Sequence, residues 1–361
     1  MALIIAEAGV NHNGSEDLAL RLVEAAKVAG ADVVKFQTFK TSKLVTKSAQ
    51  QADYQKLNTS SNESQFTMLS RLELSYTFHH QLIDYARSLD IGFLSTAFDS
   101  ESLKFLVNDL GLRRLKIPSG DLTNSPLLLE HARTGADLIV STGMADLSEI
   151  ENALGVIAFG YLAGLDESPS IGAFKEAYSS QEGQAMLGKK VTLLHCTTEY
   201  PAPFNEINLN AMNGLKSSFG LDVGYSDHSE GVAISIAAVA KGACLIEKHF
   251  TLDRNFEGPD HKASLNPEQL SLMVAGIRQV EIALGHGIKI ATVSEIRNRV
   301  AARKSLMASC DIHVGELLSE DNVTTMRPGG GISPHNYWEV IGRRATIKYS
   351  GGDLIGNQGI L

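Results

Sequence analysis

The sequence predicts an α/β fold: a (β/α)8 TIM barrel followed by a small β-rich domain. Three observations predict it. Short β-rich apolar runs alternate with helical patterns about eight times in roughly the first 285 residues. The runs are joined by helix-length segments, which makes neighbouring strands parallel. The first turn reads GVNHNG rather than G-x-G-x-x-G, so an open nucleotide-binding sheet lacks its phosphate turn.

The elements follow in order. LIIAEAG (3–9) is a buried strand, and LALRLVEAAKVAG (18–30) is a helix by apolar spacing. DVVKFQ (32–37) is a strand. A long polar excursion over 38–65 exceeds an ordinary connection, which predicts a segment folded over a site. A helix over 78–89, strand IGFLSTAF and one helix over 100–110 come next. Strand RRLKIPSG, helix SPLLLEHARTG, strand DLIVSTGM and helix DLSEIENALGVIA continue the alternation. Residues 164–188 are a polar insertion with one amphipathic helix. Strand KVTLLHC, helix NLNAMNGLKSSF, strand LDVGY, helix GVAISIAAVAKGA, strand ACLIEKHF and helix PEQLSLMVAGIRQVEIALG close the run. The expected domains are a catalytic barrel over 1–285, a polar linker over 286–303 and a β-rich domain over 304–361. Gly and Pro turns such as RPGGGISP separate the last domain's pieces SLMASC, ATIKY and DLIGN.

A barrel carries its site at the C-terminal ends of its strands, and polar residues collect there. Glu7 ends the first strand, and Lys35 and Gln37 share one face of the second. Thr96, Lys116, Ser119, Asp121 and Ser141 end the next three. Thr197, Thr198 and Tyr200 follow the sixth, and Ser226 and His228 the seventh. Glu247 and His249 lie two apart on the eighth. His228 and His249 end adjacent parallel strands about 4.8 Å apart, within reach of one metal ion. Imidazole suits Zn, Mn, Fe, Co or Cu. Two structural histidines are the alternative. Lys35 and Lys116 on barrel strands, with nearby hydroxyls, describe a pocket for phosphate and carboxylate. The alternative is an internal ion pair with Glu7 or Glu247. Lys248 is expected to face the outer layer. His12 and His261 are expected near the mouth, and most other histidines in solvent.

Bulk composition narrows the function class. A hydrophobic share of 43% with 20% charged residues describes a folded chain rather than a disordered one. A net charge of −9 argues against a nucleic-acid or anionic-membrane surface. The three cysteines are odd in number and widely spaced, which fits a reducing, cytoplasmic compartment. Cys196 and Cys244 lie in apolar runs and read as inert core thiols.

IAEAGVNHNG, KFQTFK, LKIPSGD, STGM, HCTTEYP, GYSDHSEG, EKHFT and GPDHKASL, in that order, resemble the sialic acid synthase family. These are phosphoenolpyruvate-condensing N-acetylneuraminate synthases and their legionaminic and pseudaminic relatives. The resemblance covers nearly the whole chain and implies that 304–361 is an antifreeze-like (SAF) domain. It implies condensation of phosphoenolpyruvate with an N-acyl mannosamine-type aldehyde, giving a nine-carbon 2-keto sugar acid and phosphate. The alternative within the family is a legionaminic acid synthase using 2,4-diacetamido-2,4,6-trideoxymannose, towards which HCTTEYPAPFNEINL leans. By the same resemblance, His228 and His249 match ligands of a divalent ion, usually Mn2+, with Mg2+ or Co2+ as alternatives. Lys35, Thr96, Lys116, Ser119, Ser141 and Ser226 match phosphoenolpyruvate contacts. Gln37, Asp121, Tyr200 and Asp260 match sugar contacts, and Glu7 matches the acidic residue at the reacting centre. Arg327 matches an arginine that one subunit lends its partner, which implies a domain-swapped homodimer. A metal-independent Schiff-base aldolase using Lys116, or a C-terminal module that binds ice or carbohydrate, are the competing classes.

Overall fold

Eight strands close into a parallel barrel in chain order. They are β1 (Leu3–Gly9), β2 (Val33–Thr38), β3 (Gly92–Ala97), β4 (Arg114–Ile117), β5 (Asp137–Ser141), β6 (Val191–His195), β7 (Asp222–Asp227) and β8 (Leu245–His249). β8 returns to β1 with Glu7 opposite His249. This computed structural model describes residues 1–52, 55–56, 63–164 and 166–361. Within it the chain divides into two compact units, Met1–Gly285 and His286–Leu361.

Local signals set the helix starts. Ser15 accepts from Leu18 N ahead of helix Glu16–Val28. Asp146 and Glu149 form a reciprocal capping box before Leu147–Leu162. Asn266 and Gln269 do the same before Pro267–Leu284, with proline in the first turn. The apolar faces of these helices and the outer faces of the strands form the main core.

The strand pleat explains where the site must be. Ile5, Leu94, Ile139, Leu194 and Leu245 point inward and make an apolar floor inside the barrel. Two residues further along, the same inward face carries Glu7, Thr96, Ser141 and Glu247. Gly224 on β7 makes room for the floor, since a Cβ there would lie 2.6 Å from Leu245 O and 2.7 Å from Leu194 Cδ2. The polar layer therefore rests on a packed base rather than on a channel.

Several elements differ from the sequence expectation. The helix after β7 is Ala233–Ala240, shorter than expected. The Asp227 carboxylate accepts from Ser229 N at 2.9 Å and holds the preceding residues in a turn. The insertion over 164–188 contributes two helices, Ile171–Ser179 and Gln181–Lys190, each started by a serine cap. The helix over 100–110 is α-helical for Ser100–Lys104 and then a π-turn, Phe105–Asp109. In the C-terminal unit, 286–303 carries a helix, Val293–Ala302, begun by a Thr292–Glu295 capping box. Strands β9 (Ser305–Ala308) and β10 (Val323–Met326) pair antiparallel. ATIKY and DLIGN make only isolated bridges, such as Ala345↔Ile360 and Met307↔Leu354. Leu306, Ile312, Leu318, Val323 and Ile355 are buried in that unit's own core. Among the described residues no helix is long and apolar enough to cross a membrane.

Candidate functional site

Above the apolar floor the barrel holds a cavity of about 230 Å³ at the C-terminal ends of its strands. Glu7 enters it from β1, Lys35 and Gln37 from β2, and Thr96 from β3. Lys116 and Ser119 come from β4 and its turn, and Ser141 from β5. Tyr200 follows β6, Ser226 and His228 end β7, and His249 and Asp260 come from β8 and the loop beyond. Gln55, from the excursion after β2, and Met68 and Leu69, from the helix Gln65–Leu72 that follows it, also line the cavity. Residues 53–54 and 57–62 of that excursion lie outside the described residues.

Resting on that apolar floor is a chain of alternating charge. Lys35 Nζ lies 2.7 Å from Glu7 Oε2 and 3.5 Å from Glu247 Oε2. Lys116 Nζ lies 2.9 Å from Glu247 Oε1. Lys35 also donates to Thr96 Oγ1, and Ser226 to Glu247 Oε1, both at 3.0 Å. The internal ion pairs considered from the sequence are thus present, on lysines that face the cavity. Burial pushes the Glu7 carboxyl up to about 7, against the pull of Lys35. Burial would raise Glu247 too, but Lys116 and Lys35 hold it well below the ordinary carboxylate range. Burial and the lysines thus push the two carboxyls of one cavity in opposite directions.

The two histidines meet at the cavity wall, with ring centroids 5.7 Å apart. His228 Nδ1 lies 2.6 Å from the Thr197 carbonyl oxygen, so Nδ1 carries the proton and donates. Burial keeps this imidazole neutral by lowering its pKa to about 4. Nε2 therefore presents a lone pair, with the hydroxyls of Tyr200 and Ser226 each 3.3 Å away. His249 is held neutral by burial and by His228. Among the described residues its buried Nδ1 has no hydrogen-bond partner, and it faces Asp260 Oδ2 at 3.9 Å. Neutral imidazoles with one nitrogen fixed by a carbonyl and an unsatisfied nitrogen nearby fit a divalent ion. Among the described residues no cluster of three or more His, Cys, Asp or Glu is suited to a metal.

Other candidate residues lie elsewhere. Asp121 sits outside the cavity lining and accepts from Asn124 Nδ2 at 3.0 Å. Arg327 belongs to the C-terminal unit. His12 and His261 are buried rather than open to the mouth. His261 bonds Thr251 Oγ1 at 2.6 Å and Asn13 Oδ1 at 3.1 Å, tying the loop after β8 to the turn after β1. His79 and His131, expected in solvent, are also buried, each with Nδ1 on a carbonyl of its own helix start. Cys196 is buried as expected, but its Sγ lies 3.2 Å from Ser119 Oγ, against the site wall. Lys248 turns away from the cavity and is fully buried. Glu247 and Thr198, which the sequence placed at strand ends without a role in the chemistry, also line the cavity. Glu247 shares its face with His249 two residues on, and that spacing was the signal available for it.

The sequence model of the NeuB family matches residues 22–289. The chain belongs to the NeuB family. A relative from Campylobacter jejuni, an N,N'-diacetyllegionaminic acid synthase, is 51% identical over 353 residues, 98% of each chain. A second, of the same description, from Legionella pneumophila, is 43% identical over 98% of this chain and 92% of its own. The N-acetylneuraminic acid (sialic acid) synthetase of Leptospira borgpetersenii, solved with citrate, superposes with a TM-score of 0.64. It is 32% identical over 82% of this chain and 90% of its own. The NeuB assignment makes this chain an enzyme, a synthase on a TIM barrel, as the motifs predicted.

Proposed function

We propose that this NeuB enzyme condenses phosphoenolpyruvate with 2,4-diacetamido-2,4,6-trideoxymannose, as an N,N'-diacetyllegionaminic acid synthase. The motifs point first to an N-acetylneuraminate-type acceptor, with this sugar as the alternative. Relatives of 51% and 43% identity favour the alternative. The observation that carries the chemistry is one buried cavity holding Lys35, Lys116, Glu7 and the His228–His249 pair.

Lys35 and Lys116, with Thr96, Ser119, Ser141 and Ser226, bind the phosphate and carboxylate of phosphoenolpyruvate through charge-assisted bonds. His228 and His249 would hold a divalent ion, Mn2+ by the family resemblance, which supplies a Lewis acid for an aldehyde oxygen. Glu7, with its pKa raised to about 7 by burial, holds or takes a proton at its carboxylate oxygen near neutral pH. C3 of phosphoenolpyruvate bonds to C1 of the aldehyde as the carbonyl opens to an alkoxide. Water adds to the electron-poor C2, and Glu7 takes a proton from that water and passes one to the alkoxide. The bond from C2 to the phosphate oxygen then breaks, which releases phosphate and leaves the 2-keto group. Gln37, Tyr200 and Asp260 orient the sugar. The active form in this proposal is a domain-swapped homodimer of the cytoplasm, with an SAF-type C-terminal unit lending Arg327 to its partner. Arg327→Ala then loses turnover while keeping the dimer mass in light scattering.

The deciding experiment measures phosphate released from phosphoenolpyruvate with Mn2+, offering N-acetylmannosamine and 2,4-diacetamido-2,4,6-trideoxymannose in parallel. The proposal expects at least tenfold higher kcat/KM with the diacetamido sugar. Preference for N-acetylmannosamine reverses the acceptor assignment, and no release with either rejects the reaction.

A further inference from the structure

Behind the cavity, on the opposite face of the same two strands, lies a second buried ion pair that the proposed chemistry does not use. Asp227 and Lys248 are both fully buried, with Lys248 Nζ 3.0 Å from Asp227 Oδ2. They stand opposite each other in the β7–β8 register. Each is the immediate chain neighbour of one histidine, Asp227 of His228 and Lys248 of His249. The hydrogen-bond partners of this pair lie in the turn that follows β7 and in the helix beyond it. Lys248 Nζ donates to Ser229 O at 2.5 Å. Asp227 Oδ1 accepts from Ser229 N at 2.9 Å and from Ser229 Oγ at 2.6 Å. Asp227 Oδ2 accepts from Ser235 Oγ at 2.6 Å, in helix Ala233–Ala240.

A buried ion pair is a poor device for stability alone, because desolvation offsets the attraction and an apolar pair of like volume often serves as well. What this pair supplies is register. It staples β8 to the turn on either side of His228 and fixes the backbone from which both imidazoles project. We infer that Asp227 and Lys248 are positioning residues that set the spacing of His228 and His249 for a divalent cation. This inference rests on the metal-binding reading of the histidine pair and assigns its geometry to residues outside the cavity.

The test uses the full-length protein, freed of metal, and Mn2+ alone, titrated by the loss of the free-ion EPR signal. The variants are His228→Ala and the neutral, near-isosteric double variant D227N/K248M, each with a thermal melt. The expected result is that wild type binds Mn2+ and His228→Ala does not. D227N/K248M should fold with a similar Tm and bind at least tenfold more weakly, as is usual when support behind a metal ligand is removed. Wild-type affinity in a folded D227N/K248M overturns the inference while leaving the metal reading intact. No Mn2+ binding by wild type overturns the metal reading and this inference with it. Should the double variant not fold, Ser235→Ala decides, since it strips one hydroxyl from Asp227 without unpairing a charge. A measurable affinity drop supports the positioning role, and unchanged affinity overturns it.

Discussion

Glu247 Oε1 accepts a 2.9 Å charged hydrogen bond from Lys116 Nζ inside the barrel, with both side chains about 95% shielded from solvent. The same carboxylate also faces Lys35 at 3.5 Å. One fixed anion therefore serves two buried ammonium groups. Glu247→Leu leaves that charge unmet, and breaking a buried pair this way costs about 3–5 kcal/mol. Glu247→Gln keeps an oxygen acceptor and is expected to cost roughly 1–3 kcal/mol. Urea unfolding followed by circular dichroism checks both. Equal stability of the two variants and wild type would show that the pair carries no structural weight.

The same lysines face the cavity, which gives a different expectation for their loss. Lys116→Met removes a cation from the proposed phosphate and carboxylate pocket. Phosphate release should fall at least ~100-fold in kcat/KM, in the range seen when one electrostatic contact to the reacting group is removed. Mn2+ affinity should stay within a fewfold, because the histidines are untouched. A variant that keeps its kcat/KM removes Lys116 from the chemistry.

Gly143 shows how tightly the pocket wall is built. Its N–H donates to Ser119 Oγ at 3.0 Å. A Cβ at this position would lie 2.3 Å from Thr198 Oγ1 and 2.8 Å from Ser119 Oγ. Gly143→Ala must push both hydroxyls aside, at about 1–3 kcal/mol for overpacking. KM for phosphoenolpyruvate should rise about tenfold or more, each tenfold being 1.4 kcal/mol of lost binding. Gly188→Ala is the control, since nothing lies within 4 Å of its added methyl. In that helix the change should be neutral or slightly stabilising, by about 0.5–1 kcal/mol.

The barrel was legible because its signal is periodic and repeated. Each strand carries an apolar stretch with polar residues at or just past its C-terminal end, and eleven of the candidate positions meet at one cavity for that reason, with Asp260 joining them from the loop beyond β8. What could not be read was set by partners distant in sequence. Lys248 faces the outer layer, as its place between the inward Glu247 and His249 implies, but its full enclosure depends on Asp227 and on the Ser229 carbonyl, 19 residues away. His131 looked solvated because its neighbours Glu130 and Arg133 are charged. Yet its ring points inward from helix Ser125–Arg133 and is buried. Asp121 looked like a pocket residue from its place after β4, but a one-turn 3-10 helix, Ser119–Asp121, leaves it outside the cavity lining.

Buried neutral histidines give the protein an acid liability. Burial lowers His12 from 6.5 to about 3 and also lowers His131. In the unfolded chain both titrate near 6.5. Above that pH neither state carries the proton and there is no effect. Below it the unfolded state binds protons that the folded state refuses, so stability falls with pH until the folded pKa is reached. Each such histidine contributes up to ~1.4 kcal/mol per pH unit in that window. His131→Leu lies far from the cavity and removes one of these terms. Urea midpoints at pH 7 and pH 5 should therefore differ less for His131→Leu than for wild type. An equal loss in both would mean that His131 takes up its proton in the folded state.

The His228 imidazole has its tautomer set by a carbonyl, and that separates the metal reading from the Schiff-base alternative. Nδ1 donates to Thr197 O, so the nitrogen left for the cavity is an unprotonated Nε2. An aldolase working through Lys116 has no need of such a lone pair, whereas a metal-dependent condensation requires one. Incubation with EDTA should abolish phosphate release, and added Mn2+ should restore it. His228→Gln should lose metal affinity by at least ~100-fold while its melting temperature stays close to wild type, because an amide fills similar space. Borohydride added during turnover should trap no substrate adduct on Lys116. A trapped adduct together with EDTA-resistant turnover would move the chemistry from the histidine pair to the lysine.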